Sequence, residues 1–397
     1  MSNKTLVVLL ILATSVSMMS TDIYVPSLPY LTDYFGTSAE YIKLTISLNA
    51  AAYSIGTLIH GPLSERFGRK PILIWSMAGL ALFSLFCALS QSIGQFIVSR
   101  ILQGLAAAAE GVIVLAIIRD VFNQRDQIRV LAIYEMVIAL TPAIAPIIGG
   151  YVFIYIGWRA NFIAITVIAL IATWLIQANL KESTRKDLNA LKIREILGDY
   201  FGLLSNLNFM KYSLMLGAGV GFFFAFATAG PFILIKQHGL PAEYFGYYQG
   251  IMVVAYIAGS VVTAWLAKKL APHSLLHMAL FIVLSSSLLL LFVVYANLET
   301  KFLLALCIAL IAFGTAPLFA IAPPLALNTT WRRTGYAAAL LVSIEMGVGA
   351  LAALSVGVFH DGTSRPFALT TAVLFIGALL IYVIGSKDDQ TVLNTEI

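Results

Sequence analysis

The sequence predicts an all-α membrane protein: twelve transmembrane helices in two six-helix bundles, with both termini cytoplasmic. Three observations predict it. The chain has 397 residues, 60% of them apolar, at a mean hydropathy of +0.92. Only 11% are charged, less than half of the roughly 25% usual in soluble domains. The apolar residues gather in twelve runs, each near the ~20 residues that cross a bilayer. A soluble enzyme of this length cannot hide so much apolar surface, because a core grows only with volume. A disordered chain has the opposite composition.

The runs follow in order. The first, 6–31, is too long for the core of a signal peptide, and no small-residue cleavage site follows it. Runs 43–63 and 71–90 flank a basic turn that carries glycine. Run 95–118 opens on Arg100, and run 130–155 holds Pro142 and Pro146. Run 160–180, after Trp158 and Arg159, closes the first half. The second half is 210–235, 245–267, 274–296, 302–327, 336–359 and 366–386. Apolar continuity, rather than alternation, makes these runs helices, and a helix satisfies its own backbone in hydrocarbon. The longest loop is the most charged stretch, and Leu188 to Leu204 within it has the spacing of an amphipathic surface helix. The expected organisation is therefore a bundle over 1–180, a cytoplasmic linker over 181–208 and a second bundle over 209–397. Many secondary transporters built from repeats share this layout.

The basic residues orient the bundle. With the termini inside, eighteen of the twenty-four Lys and Arg fall in cytoplasmic segments, as the positive-inside rule requires. Lys43, Arg159, Lys236, Lys301 and Arg365 fall in outer loops, and Arg100 belongs to neither set. The net charge of +5 is thus topological, and nucleic acid is not an expected partner. Cys87 and Cys307 lie inside apolar runs and read as buried hydrophobes. His60, His238, His273, His277 and His360 form no ligand set with carboxylates or thiols, so neither a metal nor a cofactor is expected. No nucleophile–base pair or phosphate-cradling loop suggests an enzyme, and no filter loop suggests a channel.

Three strings carry a family resemblance. Between runs two and three lies Gly61-Pro62-Leu63-Ser64-Glu65-Arg66-Phe67-Gly68-Arg69-Lys70-Pro71. It resembles the signature loop of the major facilitator superfamily, G-x-L-x-D-R-x-G-R-K, with Glu65 in place of the usual Asp. The resemblance implies a cytoplasmic latch in which Arg69 pairs with Asp120, at the inner end of run four. Run five carries Pro142 and then Ala145-Pro146-Ile147-Ile148-Gly149-Gly150. That string is similar to the antiporter motif of proton-driven exporters, with Ala145 where Gly is common. Thr21-Asp22-Ile23-Tyr24-Val25-Pro26-Ser27-Leu28-Pro29, together with Arg100-Ile101-Leu102-Gln103-Gly104 and Arg119-Asp120, resembles the Bcr/CflA drug-resistance branch of the drug:proton antiporters. The likeness is strong in the first half. In the second it rests on span layout and on Pro231, Pro317, Pro323 and Pro324.

Ionisable groups within the bilayer are costly, so each is a functional candidate. Asp22 lies about 24 Å along run one at 1.5 Å per residue, which puts it at the depth of Arg100 on the antiparallel run four. The two are expected to meet, either as a static ion pair or as a site where a proton or substrate competes for the carboxylate. Glu110, among Ala106 to Ala109 and Gly111, and Glu345, mid-way along run eleven, read as neutral core acids or as acids facing a cavity. In a cavity they would suit a cationic substrate or a second proton. Glu135 is expected to snorkel or to join the cytoplasmic latch. Tyr24, Phe223 and Phe226 are cavity candidates, with Tyr53, Tyr134 and Tyr256 behind them.

The resemblance implies a proton-coupled exporter working by alternating access, monomeric, in a bacterial inner membrane. Its partners are then a small-molecule substrate, protons and the lipid bilayer. The alternative is a transporter dedicated to one natural metabolite, such as an anionic siderophore held by Arg100, for export or import.

Overall fold

The computed structural model describes residues 3–183, 193–329 and 334–395, which are nearly all helical. Twelve helices are long and apolar enough to cross a membrane. Spans one to six are Lys4–Phe35, Ala39–Phe67, Arg69–Leu89, Ile93–Val121, Met136–Tyr155 and Trp158–Asn179. Spans seven to twelve are Leu207–Gln237, Ala242–Leu266, Pro272–Tyr295, Lys301–Asn328, Tyr336–Val358 and Arg365–Ile384. All twelve expected runs are helical, with ends moved by a few residues, because length and hydropathy together leave a bilayer helix little latitude. The helix of span five starts earlier than its apolar part, at Gln124. The expected surface helix appears as Ile193–Leu204; residues 188–192 of that expectation lie outside the described residues. The side chain of Glu135 and the basic residues Arg185, Lys186, Lys192, Arg332 and Arg333 also lie outside them.

The chain divides into two compact units. One comprises Met1–Ile193 and Gly230–Gly250, the other Arg194–Ala229 and Ile251–Ile397. The division falls inside span seven, at a proline. Pro231 has no N–H to offer the Ala227 carbonyl, which weakens the helix there. A π-helical turn, Phe232–Gln237, follows. Pro231 and this turn pack with the first unit, and the preceding part of the span packs with the second.

Span one is broken as well. Its long helix ends at Asp22, a short 3-10 turn spans Val25–Ser27, and a second helix, Leu28–Phe35, ends on left-handed Gly36. Pro26 and Pro29 explain the break, since neither can donate to the carbonyl four residues back (Asp22 and Val25). Spans two and four meet across small residues. A Cβ on Gly104 would overlap the Asn49 carbonyl oxygen, and one on Gly56 would stand 2.6 Å from the Ala108 Cβ. Such close approach is how membrane helices gain packing energy where lipid supplies no hydrophobic drive.

Lys43 corrects the expectation that it sits in an exposed outer loop. It lies inside span two, 1% exposed, with its ammonium 4.7 Å from the centre of the Phe232 ring. The helix starts at Ala39, before the apolar run does, so the fold draws a boundary lysine into the protein.

Candidate functional site

The break in span one builds the polar centre of the first unit. The last carbonyls of a helix have no partner within it, and Arg100 of span four takes one, donating from Nη1 to the Ser20 oxygen at 2.9 Å. A cation at a helix C-terminus also opposes the helix dipole favourably. The same nitrogen donates to Gln103 Oε1, and the guanidinium lies 4.5 Å from the centre of the Tyr24 ring. Gln103 donates to Ser84 of span three at 2.7 Å, and Asn49 of span two donates to the Arg100 carbonyl at 2.7 Å. The Tyr24 and Thr45 hydroxyls are 2.8 Å apart. Arg100 thus ties spans one to four together while fully buried, and its Nε and Nη2 have no hydrogen-bond partner among the described residues.

The four candidate charges sort by exposure. Asp22 and Glu345 are half-buried, whereas Arg100 and Glu110 are inaccessible. Arg100 does not form the expected ion pair with Asp22. The break offers it a backbone carbonyl and an aromatic face, and the Asp22 carboxyl stays beyond 4.0 Å yet close enough to feel the guanidinium charge. Glu110 Oε1 stands 2.5 Å from the Thr14 hydroxyl of span one. Tyr24 and Phe226 are fully buried side chains. Tyr24 is packed between Phe96 and Phe162 in the first unit, and Phe226 against Phe367 in the second. Phe223 is half-buried beside Tyr256 and Phe319, with ring centres 6.1 and 6.0 Å away. Phe319 was not singled out from the sequence. Its signal is weak, one aromatic in a span of aliphatic residues and prolines.

At the basic turn Gly61 and Pro62 lie within the helix of span two, and Gly68 turns the chain with φ 106°. Arg66 stacks over Phe67, while Arg69 meets Asp120 at 3.4 Å and donates to Ser64. Glu65 is half-buried and has its own interactions. A residue that sequence reading passed over completes the turn. The Glu182 carboxylate, just after span six, accepts from the backbone N–H of Arg69 at 2.9 Å and of Lys70 at 3.3 Å. Lys70 Nζ reaches the Gln177 carbonyl at 2.8 Å. Glycine is needed at position 68 for its backbone angle, and a Cβ there would also push against the tip of the Glu182 side chain. Glu182 therefore caps span three, and replacing a cap costs about 1 kcal/mol. Glu182→Ala is expected to lower stability by that amount and Glu182→Gln by less, as read by thermal unfolding of the purified protein. Equal stability in Glu182→Ala and wild type would refute the cap.

The span-five glycines explain themselves by proximity. A Cβ on Gly149 would overlap the Ile23 carbonyl oxygen, at the break of span one. A Cβ on Gly150 would stand 3.1 Å from the Glu243 Cα, and one on Gly246 would stand 2.5 Å from the Ile147 nitrogen. Asn161 of span six donates to the Gly149 carbonyl at 3.1 Å. Pro142 and Pro146 lie inside the helix and withhold donors from the carbonyls of Ile138 and Pro142.

Comparison with known proteins places these features in a wider set. The sequence model of the Major Facilitator Superfamily matches residues 10–353. A bicyclomycin resistance protein homolog of Haemophilus influenzae is 28% identical over 370 residues, 92% of each chain. A chloramphenicol resistance protein of Pseudomonas aeruginosa is 26% identical over 365 residues, 90% of this chain and 85% of that one. Among solved structures, an inward-facing, occupied bacterial homolog of the human lysosomal transporter Spinster aligns over 96% of both chains with a TM-score of 0.75 at 14% identity, a likeness of fold alone.

Proposed function

The chain belongs to the major facilitator superfamily, and from that premise we propose that it exports drugs in exchange for protons by alternating access. It is a multi-pass protein of a bacterial inner membrane, and it moves a small molecule without converting it. The observation that carries the reading is the near full-length likeness to relatives named for resistance to bicyclomycin and chloramphenicol. Proton coupling is assigned to Asp22, the half-buried carboxylate at the end of the long helix of span one. Arg100 holds that helix end in place through the Ser20 carbonyl. The turn from Gly61 to Lys70, with Asp120, serves as the cytoplasmic gate, and the exporter works as a monomer. Phe223 and Glu345 are the half-buried candidates of the second unit for contact with substrate.

Reconstituted protein is expected to move chloramphenicol or bicyclomycin against their gradients only when a pH gradient is imposed. Transport of neither, with or without that gradient, would remove the reading. A transporter whose anionic metabolite sits on Arg100 is the weaker alternative, because that side chain is 0% exposed. If it were correct, Arg100→Ala would lose binding of a hydroxycarboxylate and keep binding of uncharged drugs.

A further inference from the structure

We propose that Glu110 is a second proton-binding site, one that holds a proton while spans one and four are in contact and gives it up when they part. The Thr14 hydroxyl has a single proton. Thr14 Oγ1 lies 3.0 Å from the Leu10 carbonyl, four residues back in its own helix, and 2.5 Å from Glu110 Oε1. A carbonyl can only accept, so Thr14 donates to Leu10, the ordinary bond of a helical threonine. One proton cannot serve both acceptors, and a protonated Glu110 carboxyl, which can donate to Thr14 Oγ1, satisfies both contacts at once.

The surroundings agree. Glu110 is 0% exposed, and its Oε2 has no partner among the described residues. Its neighbours along span four are small: Ala106 to Ala109 precede it, and Gly111 follows. A carboxylate anion in this site would be buried without a counter-charge, which costs several kcal/mol; a neutral acid with one hydrogen bond costs far less.

The ionisable groups on the helices around it are few. Span two brings the Tyr53 hydroxyl, which lies 2.5 Å from where a Cβ on Gly111 would stand. It also brings His60, whose Nδ1 is bonded to the Gly56 carbonyl. Span three contributes the Ser76 hydroxyl, bonded to the Ala106 carbonyl. Arg100 lies ten residues along span four, about 15 Å, and Asp22 lies eight residues beyond Thr14 on span one, about 12 Å. The proton is therefore held by the contact between spans one and four and not by a neighbouring charge. When that contact opens and water enters, the anion becomes tolerable and the proton leaves. Glu110 need not touch the substrate; it adds one proton to the number moved.

This inference deepens the proposed exchange of drug for protons, and its first test does not depend on transport. In nanodiscs at neutral pH the wild-type protein should show the infrared carbonyl stretch of a protonated carboxylic acid. The band should persist in Asp22→Asn, vanish in Glu110→Gln and bleach reversibly on alkaline titration. A wild type without that band, a folded Glu110→Gln that keeps it, or a band that no pH removes would each overturn the proposal. The second test uses chloramphenicol in proteoliposomes. Each proton coupled to a tenfold gradient multiplies the attainable substrate gradient by ten, so Glu110→Gln should sustain a gradient about tenfold smaller than wild type. An undiminished gradient would overturn the carrier role. Failure of the wild type to move chloramphenicol at all would count against the exporter reading, and the infrared result would still decide Glu110.

Discussion

Asp22→Asn is expected to abolish the build-up of drug driven by a pH gradient while leaving the protein folded. The carboxyl is half-buried and not engaged in an ion pair with Arg100, so solvent protons and substrate can compete for it. Asn keeps the size and polarity and loses the titration. Each coupled proton supplies ~1.4 kcal/mol from a tenfold proton gradient, enough for a tenfold substrate gradient. In the variant that ratio should collapse to one in proteoliposomes, although substrate still equilibrates across the membrane. Loss of Asp22 removes the competition itself, whereas loss of Glu110 removes only one proton from the count. Normal pH-driven accumulation by Asp22→Asn, at wild-type thermal stability, would show that coupling lies elsewhere.

Gly149→Ala is expected to be the most damaging conservative change in the first unit. The added methyl group would overlap the Ile23 carbonyl oxygen, which is backbone and cannot rotate away. Overpacking of a tight core costs 1–3 kcal/mol, and a rigid obstacle puts this site at about 3 kcal/mol or above. Span five would have to retreat from the break in span one, which displaces the Tyr24 and Asp22 segment. Thermal unfolding should fall clearly and transport should be lost. Gly94 is the control: nothing lies within 4 Å of its Cβ position, so Gly94→Ala should stay within about 0.5 kcal/mol of wild type. Equal melting of the two variants would contradict the packing argument.

How much of this was legible in the amino-acid order differs by feature. The twelve spans were, because hydrocarbon admits only long apolar helices and the charges between them are conspicuous. Arg100 and Glu110 were legible as candidates for the same reason: an ionisable residue in an apolar run stands out. Their partners were not. The oxygen that Arg100 takes belongs to a backbone carbonyl in the last turn of the long helix of span one, and any residue at position 20 would supply it. Thr14 and Glu110 are 96 residues apart, and no spacing pairs them. Glu182 sits in a charged stretch without periodicity, so nothing marks it as the cap of span three. The burial of Tyr24 and Phe226 was not legible either, because an aromatic ring suits a cavity wall and a packed interior equally well, and only the neighbouring helices choose between them.

The order of residues alone therefore carried the number and limits of the spans, the basic turn at Gly61 to Lys70, the paired prolines and glycines of span five, and the short roster of charges held within apolar runs. These follow from local composition, which the bilayer reads directly. Packing decided the rest: that Arg100 serves a helix end and not a carboxylate, that Lys43 is buried, that Glu110 answers to Thr14, and that Gly230–Gly250 packs with the first unit. A membrane helix declares itself by what it cannot expose to lipid. The polar atom each side chain finally meets depends on which helices lie against it, and that information exists only once the chain has folded.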